Sequence, residues 1–568
     1  MNNHPEKMMR ISTLRDELAR QNLSGFIIPH ADEYQNEYTP DSAERLKWLT
    51  GFTGSAGTAA ILGEQGAIFV DGRYVLQVKS EVHSECFVPY HSAEISVTDW
   101  LSSTLIPGAK LGYDPWLHTA QEVERLRTVC EQAQAELIAC TSNPVDEVWV
   151  NRPEVPRTPM VPHPLRFTGR DSSEKRAELA NALKNQRIDA AIVTTPDSLG
   201  WLLNVRGRDV GYTPLSLCMG IFFADGSVKL FVDPQKINPQ LIDHLGPTIS
   251  IFPADAFGPE LEGLGQQGCR VLYDPKKSAS WILDRLTQGS APVVYGEDPC
   301  ALPKACKNKT EAQGARDAHV RDGAALCRFL GWLAREATNG KVTELDAAEY
   351  LDSVRQKNDF WQDMSFPTIS GAGANGAIVH YRSTHETNAR LLPNSLYLVD
   401  SGAQYFDGTT DVTRTVAIGI PTAEHRDRYT RVLKGHIALA TARFPRGTTG
   451  SQLDVLARKP LWDAGLDYDH GTGHGVGSYL GVHEGPQRIS KSGGSVALLP
   501  GMIVSNEPGY YKSGEYGIRI ENLVLVVPCS AVVAGERELL AFETLTLAPL
   551  DRNLIEPSLL QQDEVAWI

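Results

Sequence analysis

Along the first two thirds of the chain, short apolar runs alternate with longer stretches in which apolar residues recur at helical spacing. GFIIP (residues 25–29), AIFVD (67–71) and LGYDP (111–115) predict strands, and strands separated by helical patterns predict an α/β unit. The second third repeats the order. AIVTTP (191–196) answers the first strand, WLLN (201–204) answers WLTG (48–51), LFVD (230–233) answers IFVD, and LYDP (272–275) answers GYDP. Trp201 lies 153 positions after Trp48 and Pro196 lies 167 after Pro29, with the other pairs between. So regular an offset predicts two tandem copies of one α/β unit.

Proline marks the boundaries. Pro144, Pro153, Pro156, Pro159, Pro162 and Pro164 crowd the segment after the first unit and suit an extended linker, which places a break near residue 160. Pro299 and Pro303 mark a second break. After it, Asn308 with Glu311 has the pattern of a helix N-cap, and a helical pattern follows through Glu336. The expected domains are residues 1–160, 161–304 and 305–550, with a short tail at 551–568 whose DEVAWI ending reads as a helix start.

Composition narrows the class. The 568 residues exceed one ordinary core, and 42% hydrophobic with 22% charged residues is globular. A net charge of −15 argues against nucleic acid or an anionic membrane as partner, because either would need a basic stripe. Nine cysteines without a CxxC pair suggest reduced thiols. The N-terminal sequence has no apolar core of signal-peptide length and no window is apolar enough for a membrane span, so the expected location is the cytoplasm.

Candidate chemistry gathers in the last third. HGTGHGVG (470–477), followed by HEGP (483–486), sets two imidazoles four residues apart among glycines, which let backbone approach closely or take positive φ. Taken alone this is equally an ordinary surface turn. Its surroundings add carboxylates: Asp400 and Asp411 upstream, Glu507 and Glu521 downstream. A tight turn centred on Gly514 sets Glu507 opposite Glu521, and period-2 alternation adds Tyr511 and Arg519 to their face. The aspartates are less orderly. If Asp407-Gly408 is the turn, Asp411 falls opposite Gln404 and Asp400 lies four residues away, so a bulge or wider loop is needed to unite them. Four carboxylates in a partly dry pocket repel one another, and two divalent cations would offset them. Oxygen-rich ligation with one imidazole suits Mn²⁺, with Co²⁺, Fe²⁺ or Zn²⁺ open.

SFPTISGAGANGAIVHYR (365–382), LVDSGAQYFDGTTDVTRT (398–415), HGTGHGVGSYLGVHEGP (470–486), NEPGYY (506–511) and GIRIEN (517–522) together resemble the catalytic domain of the pita-bread metallopeptidases. Specifically they resemble the long, three-domain form of the aminopeptidase P (Xaa-Pro aminopeptidase) family, and GFTGSAGTAAI (51–61) and FVDGRY (69–74) resemble its first domain. The resemblance implies an α/β protein with two creatinase-N-like α/β domains followed by a pita-bread α+β catalytic domain. It further implies two divalent metal ions on Asp400, Asp411, His474, Glu507 and Glu521, with Asp411 and Glu521 bridging. His380, His470 and His483 match its substrate-contacting histidines, and Tyr511 and Arg519 the residues that border the substrate's ring.

The activity so implied is release of the N-terminal residue from peptides with proline second. Bound cations lower the pKa of water and polarise a carbonyl, Glu507 would take the proton, and His380 and His483 would support developing charge. A homodimer through the catalytic domain is expected from the same resemblance. Long-form relatives continue past that domain into a C-terminal extension, whereas this chain stops at Ile568. Two alternatives share the fold: a prolidase cutting only Xaa-Pro dipeptides, and a non-catalytic peptide-binding module, which the intact ligand set disfavours.

Overall fold

The computed structural model describes residues 4–530 and 536–568. It divides into two compact units: residues 1–163, 171–211 and 215–300, and residues 164–170, 212–214 and 301–568.

The first unit contains both predicted copies. In the first, β1 (Gly25–Pro29), β2 (Thr58–Leu62), β3 (Gln65–Val70), β4 (Val88–His91), β5 (Lys110–Tyr113) and β6 (Glu136–Ala139) form one sheet in the order β4-β3-β2-β1-β5-β6. The pairs β1–β2 and β2–β3 are antiparallel and the rest parallel. The second sheet runs Ile249–Phe252, Val228–Phe231, Met219–Phe223, Ala190–Val193, Val271–Tyr273, Val293–Tyr295, with the same succession of parallel and antiparallel pairs. Trp48 and Trp201 also correspond, each on the helix that follows the first strand of its copy, Arg45–Thr50 and Pro196–Leu202.

Burial on both faces explains the unbroken apolar runs. Phe26 and Ile28 point to one core, with Leu14 and Leu18 of the helix His4–Arg20, while Ile27 between them joins Leu111 and Leu126 in another. The two copies meet through equivalent turns. Trp116 stacks on Trp281 with ring centroids 4.0 Å apart, and the backbone N–H groups of Ser280 and Trp281 donate to the carbonyls of His118 and Pro115.

The longest helix of the second unit, Lys309–Glu336, is capped as the sequence predicts by Asn308 and Glu311 in a reciprocal capping box. Its Leu326, Phe329 and Leu333 pack against Tyr397, Val399 and Val412 on one face of a three-stranded antiparallel sheet, Ile369–Ala372, Ser395–Ser401 and Val412–Ile418. On the other face Leu396 packs with Tyr429, Leu433 and Ile437 of the helix Ala423–Ala440 and with Ile518 and Ile520. A second sheet runs Arg443–Pro445, Leu539–Thr544, Asn522–Pro528, Ile503–Asn506. Among the described residues, no helix is long and apolar enough to cross a membrane.

Candidate metal centre

Two hairpins bring the carboxylates. In the downstream one, Gly509 pairs with Arg519 and Lys512 with Tyr516, a register centred on Gly514, whose φ is +76°. Asn506 pairs with Asn522 and Ile503 with Leu525 in the same register, so Glu507 and Glu521 occupy facing positions where the ladder changes sheets. At that break the backbone is held from outside, since Glu507 N–H donates to Thr472 O and Glu521 N–H to Thr413 O.

The upstream hairpin differs from expectation by one step. Asp400 pairs with Thr413, Gln404 with Thr409 and Tyr405 with Gly408, so the turn is Phe406-Asp407, not Asp407-Gly408. In this register Asp411 faces Gly402, and Asp400 and Asp411 become diagonal neighbours on one face without a bulge. The cause is packing from the helix Lys309–Glu336. A Cβ on Gly408 would lie 3.2 Å from Ala315 Cα and Ala318 Cβ, and one on Gly314 would lie 2.3 Å from the Asp407 carbonyl oxygen. Gly408 is glycine so that the hairpin can lie on the helix, and its φ is not positive.

The HGTGHGVG glycines likewise serve close approach; none of Gly471, Gly473, Gly475 and Gly477 has positive φ. A Cβ on Gly473 would lie 2.0 Å from the Ser505 carbonyl oxygen, and one on Gly475 would lie 2.0 Å from that of Glu484. His474 is thus pinned between the strand Ile503–Asn506 and the loop that carries Glu484. Its Nδ1 lies 3.0 Å from Gly475 O, and because a carbonyl only accepts, Nδ1 carries the proton and Nε2 is presented to the carboxylates. That Nε2 lies 3.4 Å from Asp411 Oδ2 and 3.6 Å from Glu507 Oε1.

Asp411, His474 and Glu521 each place one ligand atom within 4.8 Å of the others. Asp400 and Glu507 border this group. Asp400 Oδ2 accepts from Arg519 Nη2 at 2.7 Å, and Glu507 Oε1 accepts from Ser505 Oγ at 3.1 Å. Oδ1 of Asp400 and Oδ1 of Asp411 are buried without a hydrogen-bond partner among the described residues. Burial, joined by the charges of Asp400 and Glu507 and opposed by His474, pushes the Asp411 carboxyl up to about 6. Glu521 is pushed well above the carboxylate range by burial and by Asp411, Asp400 and Glu507. Burial alone would lower His474, but Asp411 and Glu507 carry it to about 9. Buried acceptors without donors, and carboxylates that resist ionising together, are the properties of a site completed by cations.

Tyr511 and Arg519 form the floor beside it. Arg519 Nη1 donates to Tyr511 Oη at 2.7 Å, which lies 2.8 Å from His470 Nε2, and His470 Nδ1 lies 2.7 Å from Gly471 O. For a neutral His470 the donors and acceptors settle one direction: Nδ1 carries the proton, Nε2 accepts from the Tyr511 hydroxyl, and that hydroxyl accepts from Arg519. Asp400 and His470 are thereby joined through two side chains. Burial pushes the Tyr511 hydroxyl up to about 12, Arg519 opposing. His483 comes close to His474, with ring centroids 4.2 Å apart. His380 is half-buried between Ile378 and Tyr381, and both of these pack in one cluster with Tyr511.

Thr413 and Ser505 went unnoticed in the sequence. Thr413 Oγ1 donates to Glu521 Oε2 at 2.7 Å and accepts from Arg519 Nε at 3.1 Å, while Ser505 Oγ holds Glu507 and accepts from His474 N–H at 2.9 Å. Each lies two residues from a candidate ligand, Asp411 or Glu507, so the alternation that found Tyr511 would have found both.

A model of metallopeptidase family M24 matches residues 313–528, creatinase/prolidase N-terminal domain models match 10–148 and 151–311, and one for the C-terminal region of peptidase M24 matches 538–568. The chain is 39% identical to a probable Xaa-Pro aminopeptidase P of Talaromyces stipitatus, over 98% of this chain and 87% of that one. The chain belongs to the aminopeptidase P family. Aminopeptidase P2 of Arabidopsis thaliana is also 39% identical, over 96% of this chain and 82% of its own. The crystal structure of X-prolyl aminopeptidase from Caenorhabditis elegans, described as a cytosolic enzyme with a di-nuclear active site, superposes with a TM-score of 0.95 at 34% identity, covering 99% and 94% of the two chains. An Xaa-Pro dipeptidase from Bacillus anthracis shares the fold over 67% of this chain, at 21% identity and a TM-score of 0.54. The aminopeptidase P architecture, two creatinase-N-type units and a pita-bread metallopeptidase domain, is therefore that of this chain. The match at 538–568 corrects one expectation: the chain does not stop short of the C-terminal region of its long-form relatives, since these residues match the model of that region.

Proposed function

We propose that this enzyme hydrolyses the bond between an N-terminal residue and a following proline, using two divalent cations held by Asp400, Asp411, His474, Glu507 and Glu521. The observation that carries the reading is the Asp411–His474–Glu521 group, its two carboxylates buried, with one oxygen of Asp411 and one of Asp400 lacking a donor among the described residues. When bound, the cations supply an acidified water and polarise the scissile carbonyl. Oxygen-rich ligation with one imidazole favours Mn²⁺.

The chain's own residues do the rest. Glu507, kept in place by Ser505, accepts the proton of the attacking water. His483, beside His474, and His380 donate toward the charge that develops on the carbonyl oxygen and the leaving nitrogen. An Xaa-Pro bond has no N–H to hold, so the leaving residue is recognised as a ring, by the surface that Tyr511 presents under the control of Arg519 and His470. Cytoplasmic location and a homodimer through the catalytic domain belong to the same reading; size-exclusion with light scattering tests the latter.

The deciding experiment compares kcat/KM for a peptide with proline second, its alanine analogue and its N-acetylated form, before and after chelation and metal add-back. Cleavage of the proline peptide alone, lost on chelation and restored by metal, is expected. Equal rates on the three peptides would refute the assignment, and activity confined to dipeptides would identify a prolidase.

A further inference from the structure

Behind the two glutamates, away from the face that bears them, lies a buried polar network. Asn506 and Asn522 are paired across the ladder, each next to a candidate ligand, Glu507 or Glu521. His436, on the helix Ala423–Ala440 and fully buried, reaches both. Its Nδ1 lies 3.1 Å from Asn506 O, and its Nε2 lies 3.1 Å from Asn522 Nδ2. Asn506 Nδ2 returns a bond to His436 O at 2.9 Å.

The polarity is over-determined. Arg414 Nη2 donates to Asn522 Oδ1 at 2.8 Å, which turns the Asn522 amide nitrogen toward His436, and Arg414 Nη1 donates to the Glu521 carbonyl at 2.6 Å. With a carbonyl at Nδ1 and an amide donor at Nε2, only one neutral tautomer of His436 satisfies every partner. The ring also meets the C-terminal helix Gln562–Trp567. Trp567 and His436 form a T-shaped ring pair with centroids 5.8 Å apart, and Glu564 of the same helix pairs at 2.6 Å with Lys434, two residues before His436 on the helix Ala423–Ala440.

We propose that His436 is a positioning residue for the metal site: by clamping Asn506 and Asn522 it sets the separation of Glu507 and Glu521, and the C-terminal helix braces it through Trp567. This rests on the metal-binding reading of the two glutamates. It gives the tail a task in the active site without contact with substrate or metal. Changes on the outer side of a metal site typically weaken binding on the order of 10–100-fold, because ligands left to wander must be ordered when the ion arrives.

The test uses the full chain as His436→Phe, His436→Asn and Trp567→Ala. Mn²⁺ affinity is measured by competition with a chelating dye, and the melting temperature is measured metal-free and with Mn²⁺. Phenylalanine fills the space but removes the donor to Asn506 O and the acceptor for Asn522 Nδ2; asparagine keeps a donor where Nδ1 was. Expected are Mn²⁺ binding weakened about 10–100-fold in His436→Phe, partial recovery in His436→Asn, and a smaller loss in the same direction for Trp567→Ala. The gain in melting temperature on adding Mn²⁺ should shrink in the same order. Wild-type affinity in all three, or an equal drop in melting temperature with and without metal, would overturn the proposal by showing a merely structural role. Should His436→Phe not fold, Trp567→Ala and His436→Asn decide the matter by the same readings. If the wild-type protein itself gains no stability from any divalent cation, the failure belongs to the metal reading instead.

Discussion

The two hairpins that deliver the carboxylates look alike in sequence, each with a glycine where a turn belongs, yet the glycines act differently. Gly514 takes a left-handed φ at an open turn with nothing within 4 Å of where its Cβ would be, so local sequence sets the register and arithmetic from residue 514 places Glu507 opposite Glu521. Gly408 takes no such conformation. It lies against Ala315 and Ala318 of a helix almost a hundred residues earlier, and the turn forms one position upstream. A glycine marks a turn only where its own backbone needs the freedom; elsewhere it marks a neighbour.

Despite that difference, the hairpins are expected to contribute equally to one site. Asp411→Ala on the first and Glu521→Ala on the second should each lower kcat/KM by on the order of a thousandfold or more, with metal content falling in both and far-UV circular dichroism unchanged. Substantial turnover in either variant would show that its hairpin does not bear a bridging ligand. The histidines divide more finely. His474→Ala should lose metal, whereas His380→Ala and His483→Ala should lose about 10²–10⁴-fold in turnover with metal retained, as for proton donors. Equal metal loss in all three would erase the distinction.

What was legible followed from local chemistry. The repetition of one α/β unit, the Asn308 cap and the downstream register rest on short-range pattern, and the alternation that leads from Glu507 to Tyr511 is carried by the chain itself. The upstream register was not legible because it depends on Gly314, Ala315 and Ala318, whose small side chains signal a close contact but not with what. His436 gave no signal at all. It is one histidine on an amphipathic helix, and its partners Asn506 and Asn522 are 70 and 86 positions away in sequence.

A third expectation tests whether both hairpins share one electrostatic environment. In the metal-free protein His474 is raised to about 9, so the stability it contributes is present below its ordinary value of 6.5 and is lost as pH rises through about 9. Asp411, raised to about 6, and Glu521, raised further, are acids that the fold prefers protonated, so their contribution also falls as pH rises, through about 4 to 6 for Asp411. Both slopes have the same sign. Bound cations reverse the preference, because ligation requires the deprotonated groups. The gain in melting temperature on adding Mn²⁺ should therefore grow between about pH 6 and pH 9; a gain independent of pH would mean that these groups are not the ligands.

The smallest effect separates the two kinds of glycine directly. At Gly514 an added methyl has open space but an unfavourable φ of +76°, which costs an L-residue about 1–2 kcal/mol, and the loss should be confined to the hairpin end. At Gly408 the backbone tolerates alanine, but the methyl would meet helix atoms at 3.2 Å, an overpacking worth about 1–3 kcal/mol. The costs overlap; their cures do not. Asn at 514 tolerates the left-handed conformation and should recover part of the stability lost with alanine, while Asn at 408 is larger than alanine and should be worse. Opposite orders of Ala and Asn at the two positions, read as urea midpoints, are the expected result. The same order at both would mean that Gly408 is a turn glycine after all and that the helix contact does not set the register of the aspartates.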